Sequence, residues 1–310
     1  MAELIVLLPP WRHFQASPAM AGMAMWLARG DRMGPIAGGR KAALRDLFEF
    51  VGTAFPVAAL THYLDSAEVD DAIWLRADPC HVAVDAVAVR MCASEIPDLS
   101  AADAQALAKP LRPVFGDAGF PLEITDAGRW YLRCAPSSQL PEFADSDDVL
   151  GDDLMQHLPR GSNERQWRYL LNEAQVILHN HPLNAARAAR GRIPANSLWF
   201  WGAGASPSWV RAKPSRVISD DPVVVALARR AGIEVQGTKP TALSRQSDQE
   251  RVLIDLAMPA NPDDLVVWVK ALDTALMSGE YAGMRLVFTD GEDVAVRRRH
   301  RWRVWRRVGR

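Results

Sequence analysis

LNEAQVILHNHPLNAARAARGRIPANSLWFWGAG, residues 171–204, decides how the chain is read. Its first half finishes an amphipathic run in which Trp167, Leu170, Leu171, Ala174 and Leu178 recur at helical spacing, predicting a long helix over 163–182. Pro182 opens a second, short helix that Gly191 can close with a positive φ. NSLWFWGAG, 196–204, then reads as a strand entering a glycine loop. Trp199 and Trp201 fall on one face of that strand and Phe200 on the other, a core-packing pattern.

The polar residues of this stretch invite a chemical reading. His179 and His181 stand two apart, so on a helix they point about 200° from one another and cannot form the H-x-x-x-H zinc face. Near a helix C-terminus they cap carbonyls or touch an anion. Gly202 and Gly204 suggest a dinucleotide loop, but the third glycine and an immediately following helix N-terminus are missing. Earlier, Arg76, Asp78 and His81 form a compact polar cluster in LRADPCH. An Asp–His pair beside Arg can orient a base; the plainer reading is a turn at Asp78–Pro79 with hydrogen-bonded neighbours. The sequence contains no G-x-S-x-G, P-loop or H-E-x-x-H motif.

Outward from there, ELIVLLPP (3–10) predicts a buried first strand rather than a secretory signal. Residues 70–91 predict two strands around the Asp78–Pro79 turn, and 122–134 a hairpin. Ser100 and Asp103 predict a capped helix start. The Pro-, Ser- and Asp-rich stretch 135–162 reads as a linker. Beyond 204 the pattern alternates strand and helix, arguing a mostly parallel sheet, and 294–307 predicts a final strand.

Composition bounds the rest. With 310 residues, 49% hydrophobic and 24% charged, the chain is expected to form one large unit with an insertion, or two domains. No apolar run reaches the roughly 20 residues of a membrane span, so a cytoplasmic protein with no membrane partner is expected. Three cysteines without C-x-x-C spacing imply free thiols. Eight arginines and no acid fall within 297–310, leaving an acidic body and a basic tail. That tail either pairs with the body or holds an anionic partner, of which nucleic acid is the less favoured.

Taken in order, the opening stretch is similar to the archaeal-type cofactor-independent phosphoglycerate mutases of the alkaline phosphatase superfamily. Asn184, Arg187, Gly191, Pro194, Ala195, Asn196, Gly202 and Gly204 fit the family's H-P-x-N, Arg and Gly-x-x-P-A-N tract leading into a strand and glycine loop. The LRADP-x-H and NSLW-x-WG signatures resemble most closely a proteobacterial group of RpfE-type regulatory, phosphoglycerate mutase-like proteins. The resemblance implies two divalent metals, held by aspartates and histidines around a serine that carries the phosphoryl group. Here the first strand runs into Pro9–Pro10 instead of Asp-Gly, and no histidine occurs between His181 and His300. The stretch VLIDLAMPANPDD offers only Asp255, Asp263 and Asp264.

The expected fold is therefore α/β: a reduced alkaline-phosphatase-like, mostly parallel sheet with helices on both faces, plus a smaller α+β portion. The expected division places that α+β portion in 1–150 and the phosphomutase-like portion in 151–310. The expected function is a non-catalytic phosphoglycerate-mutase-like protein with a regulatory or binding role, without metal or other cofactor. The alternatives are a Mn²⁺- or Mg²⁺-dependent phosphomutase or phosphohydrolase with a rearranged site, and nucleic-acid or protein-partner binding through the arginine tail. No catalytic residue or metal ligand is assigned. The candidate contacts for an anionic phosphorylated metabolite are Arg76, Asp78, His81, His179, His181, Asn184, Arg187, Asn196, Gly202 and Gly204. Asn184, Arg187 and Asn196 serve equally as a network fixing a helix–loop–strand corner.

Overall fold

A computed structural model describes residues 2–14, 17, 20–34, 39–52, 54–67, 70–84, 87–257 and 262–306. The chain makes two compact units, one of residues 1–51 with 208–310 and one of residues 52–207. Unit 1 begins with β1 (Glu3–Leu8), α1 (Ala21–Arg29), β2 (Asp31–Arg32), α2 (Gly39–Leu47) and β3 (Phe48–Phe50). Unit 2 follows with α3 (Val57–Ser66), β4 (Ile73–Val84), β5 (Val89–Ala93), α4 (Ala101–Ala108) and α5 (Leu111–Asp117). It continues through β6 (Leu122–Asp126), β7 (Arg129–Cys134), α6 (Ser146–Val149), α7 (Glu164–His179), α8 (Pro182–Ala189) and β8 (Ser197–Ala205). The return to unit 1 supplies β9 (Val210–Ala212), β10 (Arg216–Ile218), α9 (Pro222–Arg230) and β11 (Glu234–Gln236). The last elements are β12 (Arg251–Asp255), α10 (Pro262–Ser278), β13 (Gly283–Phe288) and β14 (Asp293–Arg297).

Unit 1 is built on a seven-stranded sheet ordered β11-β10-β12-β1-β13-β14-β2. The pairs β10/β11, β10/β12, β1/β12 and β1/β13 are parallel, while β13/β14 and β14/β2 are antiparallel. A mixed α/β class with a parallel-rich sheet is thus what the sequence pattern predicts and the structure has. The continuous run Leu4–Leu8 is buried throughout, because β1 sits mid-sheet with both faces covered. One face carries Leu4, Val6, Ile254, Met284, Leu286 and Phe288 into a core with Met23, Trp26, Trp268 and Leu272 of α1 and α10. On the other face lie Leu7, Leu253 and Val287, also buried.

Unit 2 is antiparallel, with β4 at its centre pairing to β5, β7 and β8. The stretch 135–162 belongs inside this unit: bridges join Glu142 to Arg160, Met91 to Leu150 and Arg90 to Asp153. The expected boundary at 150 therefore falls within unit 2, and the α7–α8–β8 segment shares a core with the hairpin β6–β7. That hairpin and the Ser100 cap, whose side chain accepts from the Asp103 N–H, stand as predicted.

Three sequence expectations are corrected. Asp78–Pro79 is not a turn but the middle of the twelve-residue β4. Pairing with β7 ends at Arg76 and pairing with β5 begins at His81, so on that edge of β4 no ladder reaches Pro79, which is paired with Leu198 of β8 on the other edge. The final strand stops at Arg297, the last residue paired with β13, and gives way to a 3-10 helix over Arg298–Trp302. Gly202 and Gly204 lie within β8 rather than in a loop. Their role is close packing against the start of α3: a Cβ on Gly204 would come 2.6 Å from Cβ of Pro56, and one on Gly202, at φ +67°, 2.9 Å from Cβ of Val57. Among the described residues no helix is long and apolar enough to cross a membrane.

Gly204→Ala should destabilise the protein by about 1–3 kcal/mol through overpacking of this seam, read as a lowered urea midpoint. A variant as stable as the wild type would show that α3 does not press on β8.

Candidate functional site

The corner between α7 and β8 is built by side chains that stand in for backbone. The Asn184 amide nitrogen donates to the carbonyls of Leu178 (2.7 Å) and Ala195 (2.8 Å), and its oxygen accepts the Ala195 N–H at 3.0 Å. Asn196 behaves like an extra strand residue: its oxygen accepts the Val82 N–H and its nitrogen donates to the Val82 carbonyl, both at 2.8 Å. Arg187, only 3% exposed, donates to the carbonyls of Ile193 (3.0 Å), Asp98 (3.2 Å) and Pro97 (2.8 Å). His81 Nδ1 lies 3.0 Å from the Pro194 carbonyl oxygen, and His181 caps α8 by accepting the Leu183 N–H at 3.2 Å. His179 is exposed in the last turn of α7. The buried donors of this corner are aimed at protein carbonyls, the arrangement that buried polar groups require.

Arg76 and Asp78 project from the same face of β4. Arg76 Nε donates to Asp78 Oδ1 at 2.9 Å and Nη2 sits 2.8 Å from Oδ2. The guanidinium also donates to Thr61 Oγ1 (3.3 Å) and lies between the rings of Tyr131 and Trp201, 5.3 and 5.2 Å from their centroids. Asp78 further accepts the Trp201 indole N–H at 2.8 Å and the Trp130 backbone N–H at 3.2 Å. The last bond extends the β4–β7 contact beyond Arg76 as far as Asp78. His81 turns away from Asp78 to the Pro194 carbonyl. Sequence adjacency suggested an acid–base pair, and strand alternation separates its members onto opposite faces.

A different cluster gathers at the carboxyl ends of the parallel strands of unit 1, where open α/β sheets place ligands. Arg40 of α2 sets Nη2 3.0 Å from Asp221 Oδ2 and 3.0 Å from Asp255 Oδ2. Ser219 Oγ donates to Asp255 Oδ2 (3.1 Å) and accepts the Asp221 N–H (3.0 Å), while Asp255 Oδ1 accepts the Ala257 N–H (3.1 Å). Asp221 Oδ1 caps α9 through the N–H groups of Val223 and Val224. Burial pushes the Asp255 carboxyl up from its ordinary range, and Asp221 adds to that rise while Arg40 opposes it. Burial works against the Arg40 charge, but Asp255 and Asp221 outweigh it and its pKa is raised. A cavity of about 430 Å³ opens beside the cluster, lined by Asp220, Asp221, Thr238, Asp255, Asp264 and Trp268.

Two carboxylates and a hydroxyl at strand ends are oxygen donors that a hard divalent cation would take. Here they do not fit a metal, because the guanidinium already bridges both carboxylates and each Asp255 oxygen is engaged. Among the described residues no group of three or more His, Cys, Asp or Glu side chains converges as a ligand set. Sequence reasoning pointed to Asp255 but missed Arg40, Ser219 and Asp221. Asp221–Pro222 reads only as a helix start, and nothing in GGRKAAL announces that Arg40 reaches a strand end.

The basic tail folds back on unit 1. Arg303 pairs with Asp31, His300 Nε2 lies 3.3 Å from the same carboxylate, and Arg306 donates to the Gly30 carbonyl at 2.7 Å. Trp302 and Trp305 remain exposed.

No family model matches the chain. Curated relatives do. One is a 2,3-bisphosphoglycerate-independent phosphoglycerate mutase of Methanothrix thermoacetophila, 29% identical over 141 residues, 43% of this chain and 36% of that protein. Another is a probable enzyme of the same description from Geobacter sulfurreducens, 40% identical over 60 residues, 19% of this chain and 15% of that protein. A solved cofactor-independent phosphoglycerate mutase from Thermoplasma acidophilum aligns over 96% of this chain and 89% of its own with a TM-score of 0.44 and 18% identity. The matched sequence spans about a third or less of the length of these curated relatives. Over that part, the chain is homologous to archaeal and bacterial cofactor-independent phosphoglycerate mutases, as residues 171–204 suggested.

Arg187→Met should cost about 2–4 kcal/mol by stranding three carbonyls; unchanged urea stability would show that Arg187 is free for a ligand. Hydrogen bonding from Arg303, opposed in part by burial, holds the Asp31 carboxyl below its ordinary range. The tail anchor is therefore complete above the ordinary aspartate pKa of about 3.9 and lost as pH falls below it. Asp31→Asn should speed amide exchange in 298–306 about two- to fivefold at neutral pH, and the gap from wild type should close in acid.

Proposed function

We propose that this protein is a non-catalytic phosphoglycerate-mutase-like protein with a regulatory or binding role, in the manner of the RpfE-type group it resembles. The observation that carries the reading is Arg40, whose Nη2 stands 3.0 Å from both Asp221 and Asp255. A fixed guanidinium supplies the positive charge at the strand ends, and it cannot lower a water's pKa or release its place to a phosphoryl oxygen as a metal does. The match to the mutases covers only part of each chain, and the motif residues of the corner hold backbone, which supports kinship of scaffold more than of chemistry.

Conversion of 3-phosphoglycerate to 2-phosphoglycerate in Mn²⁺, with and without chelator, tests the reading alongside metal analysis of the purified chain. No turnover and no stoichiometric metal are expected. Arg40→Ala, which leaves Asp221 and Asp255 without their counter-ion, should lower Tm and acquire a Mn²⁺-dependent recovery that the wild type lacks. Chelator-sensitive turnover by the wild type would establish the metal-dependent phosphomutase reading instead.

A further inference from the structure

A second cavity, of about 470 Å³, opens at the other end of the parallel strands of unit 1, where they begin. Strand register places Arg251, Glu3, Gly283 and Arg297 in one row across β12, β1, β13 and β14. Residues in such a row leave the sheet on the same face, so two arginines flank a gap where Gly283 has no side chain. Arg285, two residues along β13, points from that face as well, and Lys213 and Asp46 complete the wall.

The lining carries four cations, Lys213, Arg251, Arg285 and Arg297, against two carboxylates, Glu3 and Asp46. Asp46 orients two of the cations: Lys213 Nζ donates to Oδ1 at 2.7 Å and Arg285 Nη1 to Oδ2 at 3.0 Å. Behind Arg285, Asp293 accepts from Nε at 3.1 Å and Nη2 at 2.7 Å. Even with Asp293 included, one positive charge is in surplus. The ammonium and the fork of Arg285 keep further N–H donors beyond these bonds. Arg251 has only Glu3, at 3.6 Å, and Arg297 makes no ion pair among the described residues.

We propose that this cavity is a binding site for a compact phosphate-class oxyanion, either a free ion or the phosphoryl end of a small metabolite. Two cations fixed by internal carboxylates and two exposed guanidinium groups at the rim, one of them held only by the long Glu3 contact, match the several oxygens of such a group, which arginine forks bind in pairs. The site stands apart from the Arg40 cluster at the opposite strand ends, so it does not depend on whether the chain turns over substrate.

The test is calorimetric titration of the full chain with sodium pyrophosphate at constant ionic strength, repeated with inorganic phosphate and with 3-phosphoglycerate. Saturable one-site binding by pyrophosphate is expected, and the two further ligands tell a free ion from a phosphorylated metabolite. Arg251→Ala combined with Arg297→Ala should weaken binding about tenfold or more. Both side chains are exposed at the rim, so circular dichroism and the unliganded Tm should stay as in the wild type. Arg298→Ala, outside the lining, should bind within about twofold of the wild type. No saturable binding by any of the three ligands, or an equal loss in Arg298→Ala, overturns the proposal.

Discussion

The seating of β1 between β12 and β13 governs this molecule. Leu4 pairs with Val252 on one side and Met284 on the other, partners about 250 residues or more away. A strand buried on both faces cannot stand without both neighbours, because its backbone and its apolar side chains would meet water. The chain between Val51 and Ser208 must accordingly form a body of its own, and it does, around a core that shares no residue with that of α1 and α10. The loop-closure entropy of so long an excursion grows only with the logarithm of its length, so a pre-folded insertion makes the join tolerable.

Local pattern was readable and long-range placement was not. Helical stripes, the β6–β7 hairpin, the Ser100 cap and the strand–helix alternation after residue 208 all follow from periodicity and turn chemistry in short windows. Asp78–Pro79 misled because the same dipeptide opens a turn or rides in a strand, depending on whether the neighbour needs the proline N–H. The mid-sheet position of β1 depends on partners that no window contains. Arg40 is the sharpest case: its meaning lies in Asp221 and Asp255, supplied from distant elements.

Two kinds of polar group are thereby distinguished. Asn184, Asn196 and Arg187 replace backbone hydrogen bonds at a corner, where an apolar substitute would strand carbonyls and amides. The carboxylates at the strand ends answer to a looser requirement, since any well-placed positive charge offsets their desolvation. A guanidinium reached from α2 meets that requirement as well as an ion would. A resemblance carried by the corner motif is therefore evidence about architecture, and the chemistry has to be read at the strand ends separately.

The long interval between β1 and its partners has a consequence for biosynthesis. At ribosomal speeds of about 5–20 residues per second, the Leu4–Leu8 segment waits roughly 12–50 s before β12 leaves the exit tunnel. During that time it is an adhesive apolar ribbon beside a nascent insertion that can already fold. Trigger-type chaperones that shield such ribbons, and slow codons placed after residue 207, would be expected to govern yield more than any residue of the finished core.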